Sequence, residues 1–153
     1  MKFVICILVA VFATTSFATK FDFKGTVACK DQDKKWCYTV EAKEVDMISD
    51  DTISSVQKCY DPNNREPESS DPAKELGKDH GDFALNGDMD NDGILDNYFE
   101  IALQITHNCT GKEEYIEDDY EEVHITKPNY SMKKSFNLNT NKVIPEHVDI
   151  PKN

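Results

Sequence analysis

Asp88, Asp90 and Asp92 alternate in the stretch DMDNDGILDNYFE, with Gly93 directly behind them and Asp96 four residues beyond Asp92. Carboxylates at every second position followed by a glycine form the opening of a calcium loop. Oxygens at positions 1, 3, 5 and 9 surround the ion, and the glycine permits the sharp turn. A helix-flanked loop closes with a bidentate Glu at position 12. Here Phe99 occupies that position and the Glu arrives one residue late, as Glu100. Phe99 starts an alternating apolar series, so Glu100 points to the opposite face. Asp88, Asp90, Asp92 and Asp96 are therefore the candidate metal ligands. The competing reading, an acidic turn between two strands, is the one the spacing favours. No cofactor other than calcium is implied.

Histidines are the next candidates for chemistry, as bases or metal ligands near neutral pH. They are His80, His107, His124 and His147. Neither a G-x-S-x-G nor an H-E-x-x-H pattern accompanies them. His107 continues the core-facing phase beside Cys109, which suits a hydrogen-bonded structural role. No catalytic residue is assigned, and the chain is read as a non-enzyme.

Of five cysteines, Cys6 lies in the apolar N-terminal stretch, leaving Cys29, Cys37, Cys59 and Cys109. Four cysteines without a C-x-x-C spacing point to two disulfides rather than zinc. Cys29 and Cys109 both continue core-facing phases, whereas Cys37 falls on the face opposite Tyr38 and Val40. Phase therefore favours Cys29–Cys109 with Cys37–Cys59. The short hairpin closure Cys29–Cys37 stays open at this level. Two sequons, at Asn108 and Asn129, are candidate glycosylation sites.

The elements that carry these residues are short and alternate with period two. In FDFKGTVAC, Phe21, Phe23, Val27 and Cys29 share a face. In WCYTVEAKEV, Trp36, Tyr38, Val40 and Ala42 do so. In YFEIALQITHNC the series is Phe99, Ile101, Leu103 and Ile105. GDFALNG (81–87), EEVHIT (121–126) and FNLNTNKV (136–143) are shorter candidates. Many short strands with polar turns predict an all-β, two-sheet antiparallel sandwich stapled by its disulfides. Two stretches interrupt the pattern. Residues 61–80, with Pro62, Pro67 and Pro72 among polar neighbours, read as a mobile acidic insertion. GKEEYIEDDYEE (111–122) reads as a solvated loop or short helix.

Residues 1–18 have the form of a secretory signal: Lys2, an unbroken apolar run from Phe3 to Phe12, then Ser16-Phe17-Ala18 before the expected cleavage. Ten apolar residues are too few to cross roughly 30 Å of hydrocarbon, so no membrane span is expected. The remaining chain divides into a domain over 19–143 and a tail over 144–153. Net charge is −12, which excludes a nucleic-acid binder, since phosphate recognition needs basic surface.

Together, FKGTVAC, YTVEAKEVD, the acidic pair at 50–51, GDFALNG, ITHNC, a Pro-Asn-Tyr turn and SFNLNTNKV resemble the secreted transthyretin-like family of nematodes. The likeness runs from about Phe23 to Val143; the 61–80 insertion, the long acidic loops and Ala42 depart from the family pattern. It implies a transthyretin-like sandwich and an extracellular binding or carrier role. The partner would be a small apolar ligand or an extracellular or cell-surface protein. A calcium-binding module using the 88–96 loop is the alternative. The same fold hosts 5-hydroxyisourate hydrolase, whose site uses His, Arg and a C-terminal Tyr-Arg-Gly-Ser. This chain has no His in its first strand, a single Arg (Arg65), and ends DIPKN, so that activity is not expected.

Overall fold

A computed structural model describes residues 18–30, 34–46, 49–60, 80–90 and 97–144. These residues form nine strands: β1 (Thr19–Ala28), β2 (Trp36–Glu44), β3 (Asp51–Tyr60), β4 (His80–Met89), β5 (Tyr98–His107), β6 (Glu114–Glu117), β7 (Glu121–His124), β8 (Asn129–Asn137) and β9 (Lys142–Ile144). One sheet runs β4-β1-β8-β9, and the other runs β3-β2-β5, with β6 and β7 both on the far side of β5. Every pair is antiparallel except β1 with β8. The fold is a two-sheet β-sandwich with two disulfides.

The alternation read from the sequence is what closes the sandwich. Phe21, Phe23 and Val27 of β1 and Phe83 and Leu85 of β4 face inward from one sheet. Trp36, Tyr38 and Val40 of β2 and Phe99, Ile101, Leu103 and Ile105 of β5 meet them from the other. Phe21 and Phe99 touch edge to face across the interior, with ring centroids 5.6 Å apart. Each such large side chain contributes roughly 1.5–3 kcal/mol on burial.

Glycine decides how closely the sheets approach at one side. Gly81 and Gly87 bracket the inward-facing residues of β4. A Cβ added at Gly81 would lie 2.6 Å from the Tyr38 hydroxyl, and one at Gly87 would lie 2.5 Å from the Ile53 side chain. The two glycines of GDFALNG thus let side chains of β2 and β3 rest directly on the β4 backbone.

Both disulfides fall as phase favoured. Cys29–Cys109 is buried and joins the residue after β1 to one just after β5, bridging the sheets. Cys37–Cys59 links directly opposed residues of β2 and β3 on the outer face. The alternative Cys29–Cys37 pairing is absent.

Three stretches differ from the sequence reading. The acidic run 111–122 contains β6 and leads into β7 rather than forming a helix. Ile116 and Val123 are buried against β5, which is enough to hold an edge strand despite the acids between them. FNLNTNKV is a hairpin rather than a strand: β8 ends at Asn137 and Asn141 takes a left-handed φ of 52° before β9. Residues 51–60 form the edge strand β3, mostly exposed and therefore weakly patterned. Of the expected insertion, 61–79 lie outside the described residues, and His80 already belongs to β4. Residues 1–17 and 145–153 also lie outside them.

Candidate functional site

The β2–β3 ladder determines what gathers at one end of the sandwich. Ala42 pairs with Ser54, but the next pair is Lys43 with Thr52, so Ile53 is an extra residue on β3. A bulge of this kind bends its strand and re-aims the side chains beyond it. Ile53 packs against Gly87 of the other sheet, and Asp51 is drawn opposite Glu44. Asp46 follows in the connection, and Glu44, Asp46 and Asp51 each offer a carboxylate oxygen within 4.8 Å of the others. Glu44 is buried, while Asp46 and Asp51 are exposed. The Val45 N–H donates to the Glu100 carbonyl at 2.8 Å, tying this end to the start of β5.

The candidate ligands read from the sequence lie near this end but are not among the three. β4 ends at Met89 and β5 begins at Tyr98, three residues before Ile101, the register partner of Glu44. Glu44 and Tyr98 thus belong to the same end of the β2-β5 pair. Asp88 is the register partner of Lys20 and faces outward. Asp90 is exposed. Asp92 and Asp96 lie outside the described residues. Glu44 carried a readable signal that ligand spacing overlooked. It continues the core-facing series Trp36, Tyr38, Val40, Ala42, and a charge in that phase demands compensation.

Asp88 also borders a groove of about 580 Å³ on the outer face of the β4-β1-β8 sheet. Register builds it from two rows of three: Asp88, Lys20 and Asn129, then Asn86, Asp22 and Ser131. Asp22 is paired with Lys24 at 2.6 Å. Asn129, one of the two candidate glycosylation sites, is exposed at the rim. The other, Asn108, is bound to the fold: its Oδ1 accepts from the Cys37 N–H at 2.7 Å.

The described histidines are held in separate places. His107 is buried, its Nδ1 accepting from the Cys109 N–H at 3.3 Å and its Nε2 lying 3.0 Å from Asn141 Oδ1. That pattern makes Nε2–H the donor and ties β5 to the β8–β9 turn. Burial lowers the imidazole pKa, against the raising effects of Asn141 and Glu114. His124 is exposed and accepts from the Thr126 N–H at 3.2 Å. His80 is exposed on β4, and His147 lies outside the described residues.

A charged network closes the remaining side. Lys134 of β8 reaches Asp118 and Glu121, each at 2.9 Å, and the Tyr130 hydroxyl donates to Glu121 at 2.6 Å. Burial opposes the charge on Lys134, but its hydrogen bonds to Glu121 and Asp118 leave the ammonium pKa raised. The Tyr130 hydrogen bond leads in holding Glu121 below the usual carboxylate value.

An uncharacterized protein of Caenorhabditis elegans is 32% identical over 101 residues, a span covering 66% of this chain and 64% of that protein. The chain thus covers less than two-thirds of that relative's length. No family model matches the chain. No solved structure matches it.

Proposed function

We propose that the chain is a secreted, non-enzymatic binding protein of the transthyretin-like kind. It engages a polar extracellular partner through the outer face of the β4-β1-β8 sheet. One observation carries this reading: the interior is filled and the broad concavity lies outside. A carrier of small apolar ligands needs a largely apolar cavity that envelops its cargo. Here Phe21, Phe23, Phe83, Phe99 and Phe136 occupy the space between the sheets. The external groove sets outward amide, hydroxyl and charged side chains beside Phe21, Gly87 and Tyr130, a mixed surface that suits an extracellular or cell-surface protein.

Support for the family likeness comes from where its motifs fall. FKGTVAC is the end of β1 and its cysteine, YTVEAKE is β2, GDFALNG is β4, and ITHNC closes β5. PNY opens β8, and SFNLNTNKV is the β8–β9 hairpin. Two disulfides suit an oxidising compartment, and β1 begins at Thr19, directly after the expected cleavage point.

The test is affinity purification from extracellular fluid, comparing the native chain with Asn86→Arg and Ser131→Arg. Both side chains point outward, so the fold should tolerate the change. A partner retained by the native chain and lost by both variants is expected. Identical partners on all three would place binding elsewhere. N-terminal sequencing of exported chain should begin at Thr19.

Calcium binding is the second reading, favoured by two independent features. The carboxylates of Glu44, Asp46 and Asp51 converge, and the stretch 88–96, whose first half has the spacing of a calcium loop, follows β4 in the sequence. An ion would relieve repulsion among the acids, and at ten times Kd linkage would add about 1.4 kcal/mol. Melting should rise in calcium but not in magnesium, and Asp51→Asn should remove the rise. An unchanged melting temperature in calcium returns these acids to an ordinary charged end.

A further inference from the structure

The acidic run 111–122 splits into two populations once the chain is folded. Asp118 and Glu121 turn toward Lys134 and are paired with it. Glu117, Asp119 and Glu122 remain exposed, and among them stands Tyr120, 56% exposed. Among the described residues the Tyr120 hydroxyl has no partner.

Topology explains why Tyr120 protrudes. β6 pairs with residues 104–107 of β5, and β7 pairs with residues 98–101 of the same strand. The two are one edge strand interrupted between Glu117 and Glu121. The Asp118 N–H still donates to the Leu103 carbonyl at 3.0 Å, so Asp119 and Tyr120 are the residues pushed out of the ladder. No further strand covers β6 or β7 among the described residues. The result is a phenol on an outward bulge of a free sheet edge, with acids on both sides.

We propose that Tyr120 is a tyrosine-sulfation site. An enzyme that transfers sulfonate to protein tyrosines must bring a polyanionic donor to the acceptor, and a basic groove serves both donor and acidic flanks. The donor is a phosphoadenylyl sulfate. The Tyr120 phenolic oxygen attacks sulfur and forms the new O–S bond, while the bond from sulfur to the donor's bridging oxygen breaks. The phosphoadenosine phosphate departs with the electron pair, and the phenolic proton passes to a base of the enzyme. No oxidant or reductant is required. The product carries a fixed negative charge that no longer depends on phenol ionisation, and it adds to the exposed acids at this edge.

Chemistry and geometry separate Tyr120 from the other tyrosines. Tyr38 is buried, Tyr60 is half-buried against Trp36, and Tyr130 is half-buried and donates to Glu121. Tyr115 is exposed and is also flanked by acids, Glu113, Glu114 and Glu117, but its backbone sits in the ladder opposite Thr106, with Lys112 and Ile116 nearby in sequence. Tyr98 packs edge-on against His124.

Sulfation in cells rests on the secretion reading, because the chain must traverse the compartment that holds the donor and the enzyme. Two arms keep the two claims apart. In the first, the full chain is expressed in secreting animal cells, and the exported protein is analysed by intact mass and by fragmentation that preserves labile sulfate. One sulfonate on Tyr120 is expected, resistant to phosphatase, abolished by chlorate and absent from Tyr120→Phe. In the second, the purified full chain is incubated with a purified tyrosylprotein sulfotransferase and its donor, and again Tyr120 should be labelled. Exported protein lacking sulfate at Tyr120 overturns the proposal. So does phosphate in its place, labelling confined to Tyr115, or no labelling of the purified chain. Labelling of the purified chain while the cells retain the protein supports the site and counts against secretion alone.

Discussion

The Tyr38 hydroxyl donates to the main-chain carbonyl of Asp82 at 2.7 Å, tying strands of opposite sheets together directly above Gly81. Burial first, and the charge of Asp82 second, push the phenol pKa upward, so the donor keeps its proton through ordinary pH. Gly81→Ala would place a methyl against the Tyr38 ring and hydroxyl, and a cost of about 1–3 kcal/mol is expected. Tyr38→Phe should cost about 1 kcal/mol, the typical worth of one hydrogen bond. Denaturant midpoints decide both. A Gly81→Ala midpoint equal to the native one would show that the sheets part at no cost.

His107 sets a first pH window. Its folded pKa lies below the ordinary 6.5, burial being the main cause. The unfolded chain therefore binds the proton more readily, and stability falls as pH drops below about 6.5 toward the folded value. Above 6.5 the contribution is complete. His107→Asn should be less stable at neutral pH and should lose this slope. Parallel pH profiles for the two proteins would refute the assignment.

Glu121 sets a second, more acidic window. Hydrogen bonds from Tyr130 and Lys134 hold its carboxyl below the ordinary 4.5. Its contribution is present above that value and is lost as pH falls through the lowered folded pKa. Lys134→Met removes the cation shared with Asp118, and a loss of about 1.5–3 kcal/mol at neutral pH is expected for a charged hydrogen-bonded group. Acid denaturation of the variant should be shallower between pH 4.5 and the folded value. A steeper acid limb in Lys134→Met would contradict the network.

The two disulfides should separate under mild reduction. Cys29 and Cys109 are buried between the sheets, whereas Cys37–Cys59 lies on an outer face. Thiol exchange requires access to sulfur. Alkylation after limited reduction should label Cys37 and Cys59 first. Losing the outer bond, which closes the shorter loop, should cost about 3 kcal/mol by loop entropy, and losing the inner one about 4. Labelling of Cys29 before Cys59 would show that the sheets open more easily than the packing implies.

Legibility in the sequence followed burial. Phe21, Phe23, Trp36, Tyr38, Val40, Ile101, Leu103 and Ile105 alternate because one side of each strand meets the core, and that period survives in the sequence as written. The same phase separated Cys29 and Cys109 from Cys37. Strand β3 left no such trace, since an edge strand exposed on most of its residues has little apolar pattern to show. The acidic run hid β6 and β7 for a related reason: Ile116 and Val123 anchor it singly, and two isolated apolar residues do not make a period.

What the sequence determined by itself was therefore whatever repeats locally: the strands with a buried face, the class of fold and the disulfide chemistry of four cysteines. Only the tertiary structure decided which distant residues meet. The bulge at Ile53 moves Asp51 opposite Glu44, and one extra residue in a ladder cannot be counted before the partner strand is known. Lys134 finds Asp118 and Glu121 across the sandwich, and Tyr120 is pushed outward because β6 and β7 share one neighbour. Strand periodicity is a property of successive residues, whereas register is a property of two chain segments brought together by the same buried core.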